Sequence, residues 1–135
     1  MKQLLIIIFI TILLSACYRR NLPDSCVNIA CTNEYRMITA AVVDSNLLPF
    51  VPQKIETILD GEIVNISTSP IQVLENSWLL YGDELKDKLG VNIDNTIIVK
   101  TYHNNTIVSI DTLTAKADCC HVQKINGKDT IKVNL

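Results

Sequence analysis

Cys119 and Cys120 are consecutive, and that adjacency constrains the fold of this 135-residue chain more than any other feature. Across a trans peptide their Cα atoms are held about 3.8 Å apart, whereas ordinary disulfides span about 4.4 Å or more. The two are therefore poor partners for each other. The other cysteines, Cys17, Cys26 and Cys31, all lie near the beginning. Any bridge from the pair must fold the end of the chain back onto its start.

The first residues decide which of these cysteines are free to bridge. Lys2 precedes an apolar run from Leu4 to Leu14, interrupted only by Thr11. At about 1.5 Å per residue a helix of that length spans roughly 17 Å, well short of the roughly 30 Å hydrocarbon core. A basic start, a short apolar middle and small residues at Ser15-Ala16 match a secretory signal instead.

Leu13-Leu14-Ser15-Ala16-Cys17 resembles the lipobox of bacterial lipoproteins. The resemblance covers residues 1–17 alone. It implies that the Cys17 thiol receives a diacylglyceryl group, that cleavage falls just before it, and that the new amino terminus is acylated. Several acyl chains together hold a protein firmly at a membrane where one would not. The residue after Cys17 is Tyr18 and not Asp, which for this class implies release to the outer membrane of a diderm envelope. Periplasmic and outward-facing orientations both fit.

Removal of residues 1–16 from the 135 leaves 119, enough for one domain. Lys2 leaves with the signal, so eleven basic side chains face fourteen acidic ones. No basic stripe with interleaved aromatics is present, and nucleic acid is not an expected partner. With Cys17 carrying lipid, Cys26, Cys31, Cys119 and Cys120 remain as disulfide candidates in an exported chain. Two complete pairings carry residues 26 and 31 across to 119 and 120, and a single bridge with two free thiols is a third arrangement. Loops of about ninety residues would close, worth about 4–5 kcal/mol of chain entropy for the first bridge. Side chains 119 and 120 would face opposite sides of a regular strand, so a bulge or strand end near Asp118–His121 is required. Metal binding is not expected: Cys26 and Cys31 enclose four residues, and neighbouring cysteines make awkward joint ligands for one zinc.

Residues 17–34 read as a lipid-anchored tether and residues 35–135 as a single β-rich domain. Tyr35–Val43 is rich in strand formers, with Asp44-Ser45-Asn46 as turn formers after it. Asp60-Gly61 between two apolar stretches predicts a two-residue hairpin. Only Gly82–Gly90 looks helical, with Leu85 and Leu89 four apart, Asp83 as candidate cap, a Glu84–Lys88 pair and Gly90 as terminator. Thr96–Tyr102 and Thr106–Ala117 read as strands around Asn104-Asn105. Leu113, Ala115, Ala117 and Cys119 share one parity and one buried face. Asn126-Gly127 predicts a closing hairpin, with Ile131, Val133 and Leu135 alternating beyond it. That hairpin and the bridges would gather both chain ends at one side. The fold class is mainly β: an antiparallel β-sandwich or small barrel, of which the immunoglobulin-like type is one form, with one short helix.

No nucleophile elbow, zinc helix, calcium loop or phosphate-cradling glycine run is present, so no catalytic residue, cofactor or metal site is assigned. Candidate ligand contacts are Phe50, bracketed by Pro49 and Pro52, and Trp78 and Tyr81, for which covering the core edge is the first reading and stacking from a loop onto a sugar or peptide the alternative. His103 is expected at an exposed hairpin tip and His121 in a structural or incidental place. The expected role is a lipid-anchored envelope or surface protein, a non-enzymatic binding or accessory module whose partner is an envelope protein or glycan. The alternatives are a subunit of an envelope assembly and a small hydrolase or metal-dependent enzyme. An acidic neighbour within reach of either histidine would favour the enzyme.

Overall fold

In a computed structural model, residues 26–72, 74 and 76–135 are described. The signal, Cys17 and the first part of the tether lie outside them. Eight strands follow in order: β1 (Met37–Val43), β2 (Lys54–Leu59), β3 (Glu62–Ser67), β4 (Ser77–Gly82), β5 (Asn95–His103), β6 (Thr106–Ala117), β7 (Val122–Asn126) and β8 (Thr130–Lys132). Between β4 and β5 a 3-10 turn, Asp83–Leu85, leads into the short helix α1, Lys86–Leu89. The strands form two sheets, ordered β4-β1-β8 and β3-β2-β5-β6-β7. The fold is thus mainly β and sandwich-like, with one short helix, as the sequence pattern requires.

Local chemistry accounts for the hairpins. Asp60 and Gly61 take φ of 52° and 82°, and Asn104 and Asn105 take 49° and 61°. These left-handed pairs match the twist of the flanking strands, so β2 meets β3 at Leu59↔Glu62 and β5 meets β6 at His103↔Thr106. Alternation then fills the core: Leu113, Ala115 and Ala117 are buried in one cluster with Ile97 and Val99 of β5 and Ile55 of β2.

Strand β4 departs from strict alternation. Ile38 faces Tyr81 but Thr39 faces Leu79, leaving Leu80 as an extra residue. Such a bulge turns consecutive side chains the same way, and Leu80 and Tyr81 are both buried. The displaced Leu80 carbonyl leaves the ladder and accepts from Thr57 Oγ1 at 2.7 Å and Asn65 Nδ2 at 3.0 Å, which ties the two sheets together. Trp78 and Tyr81 have no exposed surface. They belong to the core, the first of the two readings, and the alternative of stacking on a ligand from a loop is set aside.

The closing hairpin is corrected. Strand β7 does not pair with β8. After Gly127 the chain crosses to the other sheet and runs parallel to β1, with Ala41↔Thr130, Val42↔Ile131 and Val43↔Lys132 in register. Ile131 and Val133 need a buried face, and the free edge of β1 supplies one: both lie in the core, 2% and 0% exposed. The parallel course carries Lys132 toward the far end of β1, so the ends of the described residues, Cys26 and Leu135, do not gather on one side. At Gly127 φ is +119° and the backbone passes so close to β6 that a Cβ would lie 2.5 Å from Leu113 Cβ.

The turns therefore sort into two poles. Near the cysteines lie Cys26–Arg36, the 3-10 turn with α1, the β2–β3 turn and the β6–β7 loop. The far pole carries the loop between β1 and β2, the β5–β6 turn and the β3–β4 connection. Gly127→Ala is expected to destabilise the domain by about 2–4 kcal/mol, from steric overlap on top of the left-handed penalty. Gly61→Ala, where nothing lies within 4 Å, should cost only about 1 kcal/mol. Urea unfolding with the disulfides intact measures both, and equal losses would contradict the close approach of Gly127 to β6.

Candidate functional site

Strand β6 ends at Ala117, and the next four residues form a tight loop before β7. The Asp118 carboxylate builds it: Oδ1 accepts from the Cys120 and His121 amides, both at 2.7 Å, and Oδ2 from Gln123 Nε2 at 2.8 Å. Off the strand, the adjacent cysteines are released from alternate facing. Cys26 bonds Cys119 and Cys31 bonds Cys120, each with Cα atoms 5.3 Å apart. Of the pairings left open by the sequence, this one is adopted, and it fastens the later half of the expected tether onto the domain.

Asp83 gathers the same corner from the other side. Its Oδ2 accepts from the Arg36 amide and from His121 Nδ1, each at 2.8 Å, and its Oδ1 accepts from the Val122 amide at 2.8 Å. It does not cap the helical segment, as the sequence led one to expect; the first turn has no side-chain cap. Glu84 likewise leaves Lys88 and binds the Tyr35 hydroxyl and the Gly82 amide. The hydrogen bond to Glu84, with burial, pushes the Tyr35 phenol up to about 12.

His121 takes the structural of the two roles the sequence left to it, bonded to Asp83 and nearly buried. With Nδ1 against a carboxylate, the ring carries its proton there when neutral, leaving Nε2 as an acceptor. Thr32 Oγ1 lies 3.1 Å from that nitrogen. The ring is nearly buried, whereas Thr32 is exposed at the mouth of an open depression of about 480 Å³, whose wall includes Ile29, Ala30, Arg36, Asn92 and Asp118. Neither Thr32 nor Asp83 stood out for this role in the sequence. The available signal was adjacency: Thr32 follows Cys31 and His121 follows Cys120, so that bridge brings hydroxyl and imidazole together.

Phe50, at the far pole, is half-buried against the core and meets His103 edge-on with ring centroids 5.2 Å apart. Gln53 braces the β5–β6 turn, donating to Asn105 Oδ1 at 3.0 Å and accepting from the Asn105 amide at 2.8 Å. The exposed apolar surface belongs to Phe50's neighbours Leu47, Leu48 and Val51, 68%, 60% and 68% exposed. Asp44 Oδ1 accepts from the Asn46 and Leu48 amides at 2.8 and 2.9 Å and sets the loop tip. Leu47 takes φ 64°, a left-handed conformation uncommon for a bulky side chain. A strained, solvent-facing leucine is a signal of use at a surface.

Among the described residues, no group of three or more His, Cys, Asp or Glu side chains is arranged to hold a metal ion, and no helix is long and apolar enough to cross a membrane. No protein-family model, curated protein or solved structure matches this chain.

Burial alone would raise the Asp83 carboxyl, but the Arg36 amide, the His121 ring and the Val122 amide outweigh it and hold the group below the ordinary carboxylate range. Asp118 is also held low, its burial outweighed by the His121 and Cys120 amides and the Gln123 side chain. Lowered folded-state values mean stability that is complete above about pH 4 and lost as pH falls through them. Melting temperatures taken from pH 5 down to pH 2 should fall steeply in the native protein. Asp118→Asn, which keeps an oxygen for the loop amides, should show a shallower fall. Identical slopes would show that this carboxylate does not supply the acid sensitivity.

Proposed function

We propose that this chain is a lipid-anchored envelope protein, held through Cys17 at the outer membrane, whose β-domain is a binding or accessory module. The observation that carries the reading is the division of labour between the poles. Both disulfides and Cys26, the first described residue after the anchor cysteine, lie at one, while Leu47, Leu48 and Val51 stand out at the other. An anchor at the first leaves the second free for a partner. Two cross-links closing such long loops also accord with an oxidising compartment. Leucine and valine tips on a braced loop suit an apolar protein surface better than a glycan, so the partner class is an envelope protein.

Membership of an envelope assembly is the second reading. Its support is the outer face of the five-stranded sheet, where Ile63, Ile66 and Ile110 are at least half exposed and Ile63 stands in cross-strand register with the buried Ile58. Apolar side chains on a face expected to be wet suit burial against a neighbour.

Full-length protein cross-linked in its native envelope tests the binding reading. Substituting Leu47→Asn, Leu48→Ser and Val51→Ser together should leave the acyl mass on Cys17 and preserve stability, because Asn tolerates the left-handed position. Partner capture should fall at least about tenfold, since one buried leucine is worth about 1.5 kcal/mol or more. Capture of the same partners by this variant would discard the loop as the contact surface. Cys17→Ser should lose the lipid and the cleavage before residue 17; their persistence would discard the anchor.

A further inference from the structure

We propose that Thr32, His121 and Asp83 form a nucleophilic hydroxyl site that hydrolyses neutral acyl esters. This activity goes beyond the binding role and does not depend on it. Three groups on separate segments stand in the order that hydroxyl activation needs. A hydroxyl lies 3.1 Å from His121 Nε2, and a carboxylate lies 2.8 Å from Nδ1. The carboxylate is itself fixed by the Arg36 and Val122 amides. Such a constellation is recognised by geometry and roles, whatever the fold or chain order.

Each group has a definite task. Asp83 is a positioning residue: it holds the ring in the tautomer whose Nε2 accepts and favours the imidazolium once formed. His121 is the general base and then the general acid. Thr32, exposed beside a nearly buried ring, is the nucleophile a substrate can reach. The Cys31–Cys120 bridge joins the residues immediately before nucleophile and base, so the two segments that carry hydroxyl and ring are cross-linked.

The chemistry closes without an oxidant or a metal. Thr32 Oγ1 attacks the ester carbonyl carbon while its proton passes to His121 Nε2. Collapse of the tetrahedral adduct breaks the bond to the leaving oxygen, which takes the proton from Nε2, and the acyl group remains on Thr32. Water then attacks that acyl carbon, giving a proton to Nε2. The proton returns to Thr32 Oγ1 as the carboxylic acid departs. Ester and water become acid and alcohol.

The surroundings select the substrate class. Ile29 and Ala30 give the depression an apolar wall suited to a small acyl group. Arg36 and Asn92 also line it, and their side chains carry N–H donors of the kind that stabilises negative charge on a carbonyl oxygen. Asp83 and Asp118 put two carboxylates beside the ring, which disfavours an anionic ester.

The test uses the purified full-length chain with both disulfides intact, treated with a fluorophosphonate and, separately, with p-nitrophenyl acetate. The hydroxyl oxygen should displace fluoride from phosphorus, leaving an adduct that peptide mapping assigns to Thr32. Thr32→Ser should retain labelling and ester turnover; Thr32→Val should lose both by at least about 10²-fold. Asp83→Asn should lower kcat by a similar factor with KM unchanged, a split that loosened packing alone would not give. Absence of an adduct on Thr32 in the unmodified protein, or failure of Thr32→Ser to label, would overturn the proposal. Turnover by Thr32→Val equal to that of the native chain would also overturn it. Should Thr32→Val not form its disulfides, the adduct map and the serine variant decide the matter.

Discussion

Two covalent links hold the described N-terminal segment against the loop between β6 and β7, and the rest of that end of the sandwich is organised around them. Cys26–Cys119 and Cys31–Cys120 span 93 and 89 residues of sequence. Loops of that length remove much of the freedom of the unfolded chain, by about 4–5 kcal/mol for the first link. For a domain of roughly a hundred residues, whose net stability is typically about 5–15 kcal/mol, that is a large share. The links also decide position. Residues 26–36 contain no strand, yet they are fixed closely enough for the Arg36 amide and the Thr32 hydroxyl to meet Asp83 and His121.

Polar groups at this corner are arranged so that burying them is tolerable. Asp83 and Asp118 each accept three hydrogen bonds, in both cases chiefly from backbone amides, and the His121 ring is satisfied at both nitrogens. The core is less complete. Trp78 Nε1, Tyr81 Oη and Thr101 Oγ1 are buried without a hydrogen-bond partner among the described residues, and burial drives the Tyr81 phenol well above its usual value. The bulge at Leu80 explains part of this: it turns Tyr81 inward with Leu80, which accommodates the bulky ring in the core and leaves its hydroxyl there too.

Much of the local structure was legible because local chemistry dictates it. Asp60-Gly61 and Asn104-Asn105 specify hairpins, Gly90 stops the helix at φ 72°, and the 113–117 alternation gives the buried face of β6. What remained hidden depends on choices between distant surfaces. Asn126-Gly127 announces a reversal but not which sheet receives the strand; the free edge of β1 decided that. Trp78 and Tyr81 read as core residues first and as a surface pair second, and the bulge shows how two consecutive residues, Leu80 and Tyr81, both reach the core. The meeting of Thr32, Asp83 and His121 joins residues 38 and 89 positions apart. It follows from one of two cysteine pairings that spacing alone could not separate. Leu47 and Leu48 lay beside a recognised turn, but only the left-handed backbone and the Asp44 hydrogen bonds reveal that they point outward.

The measurement that bears most directly on this account is non-reducing peptide mapping of the exported protein, with fragmentation between Cys119 and Cys120 to resolve the adjacent positions. The account predicts Cys26 joined to Cys119 and Cys31 joined to Cys120, with no free thiol among the four. Four free thiols, or the exchanged pairing of Cys26 with Cys120 and Cys31 with Cys119, would contradict it.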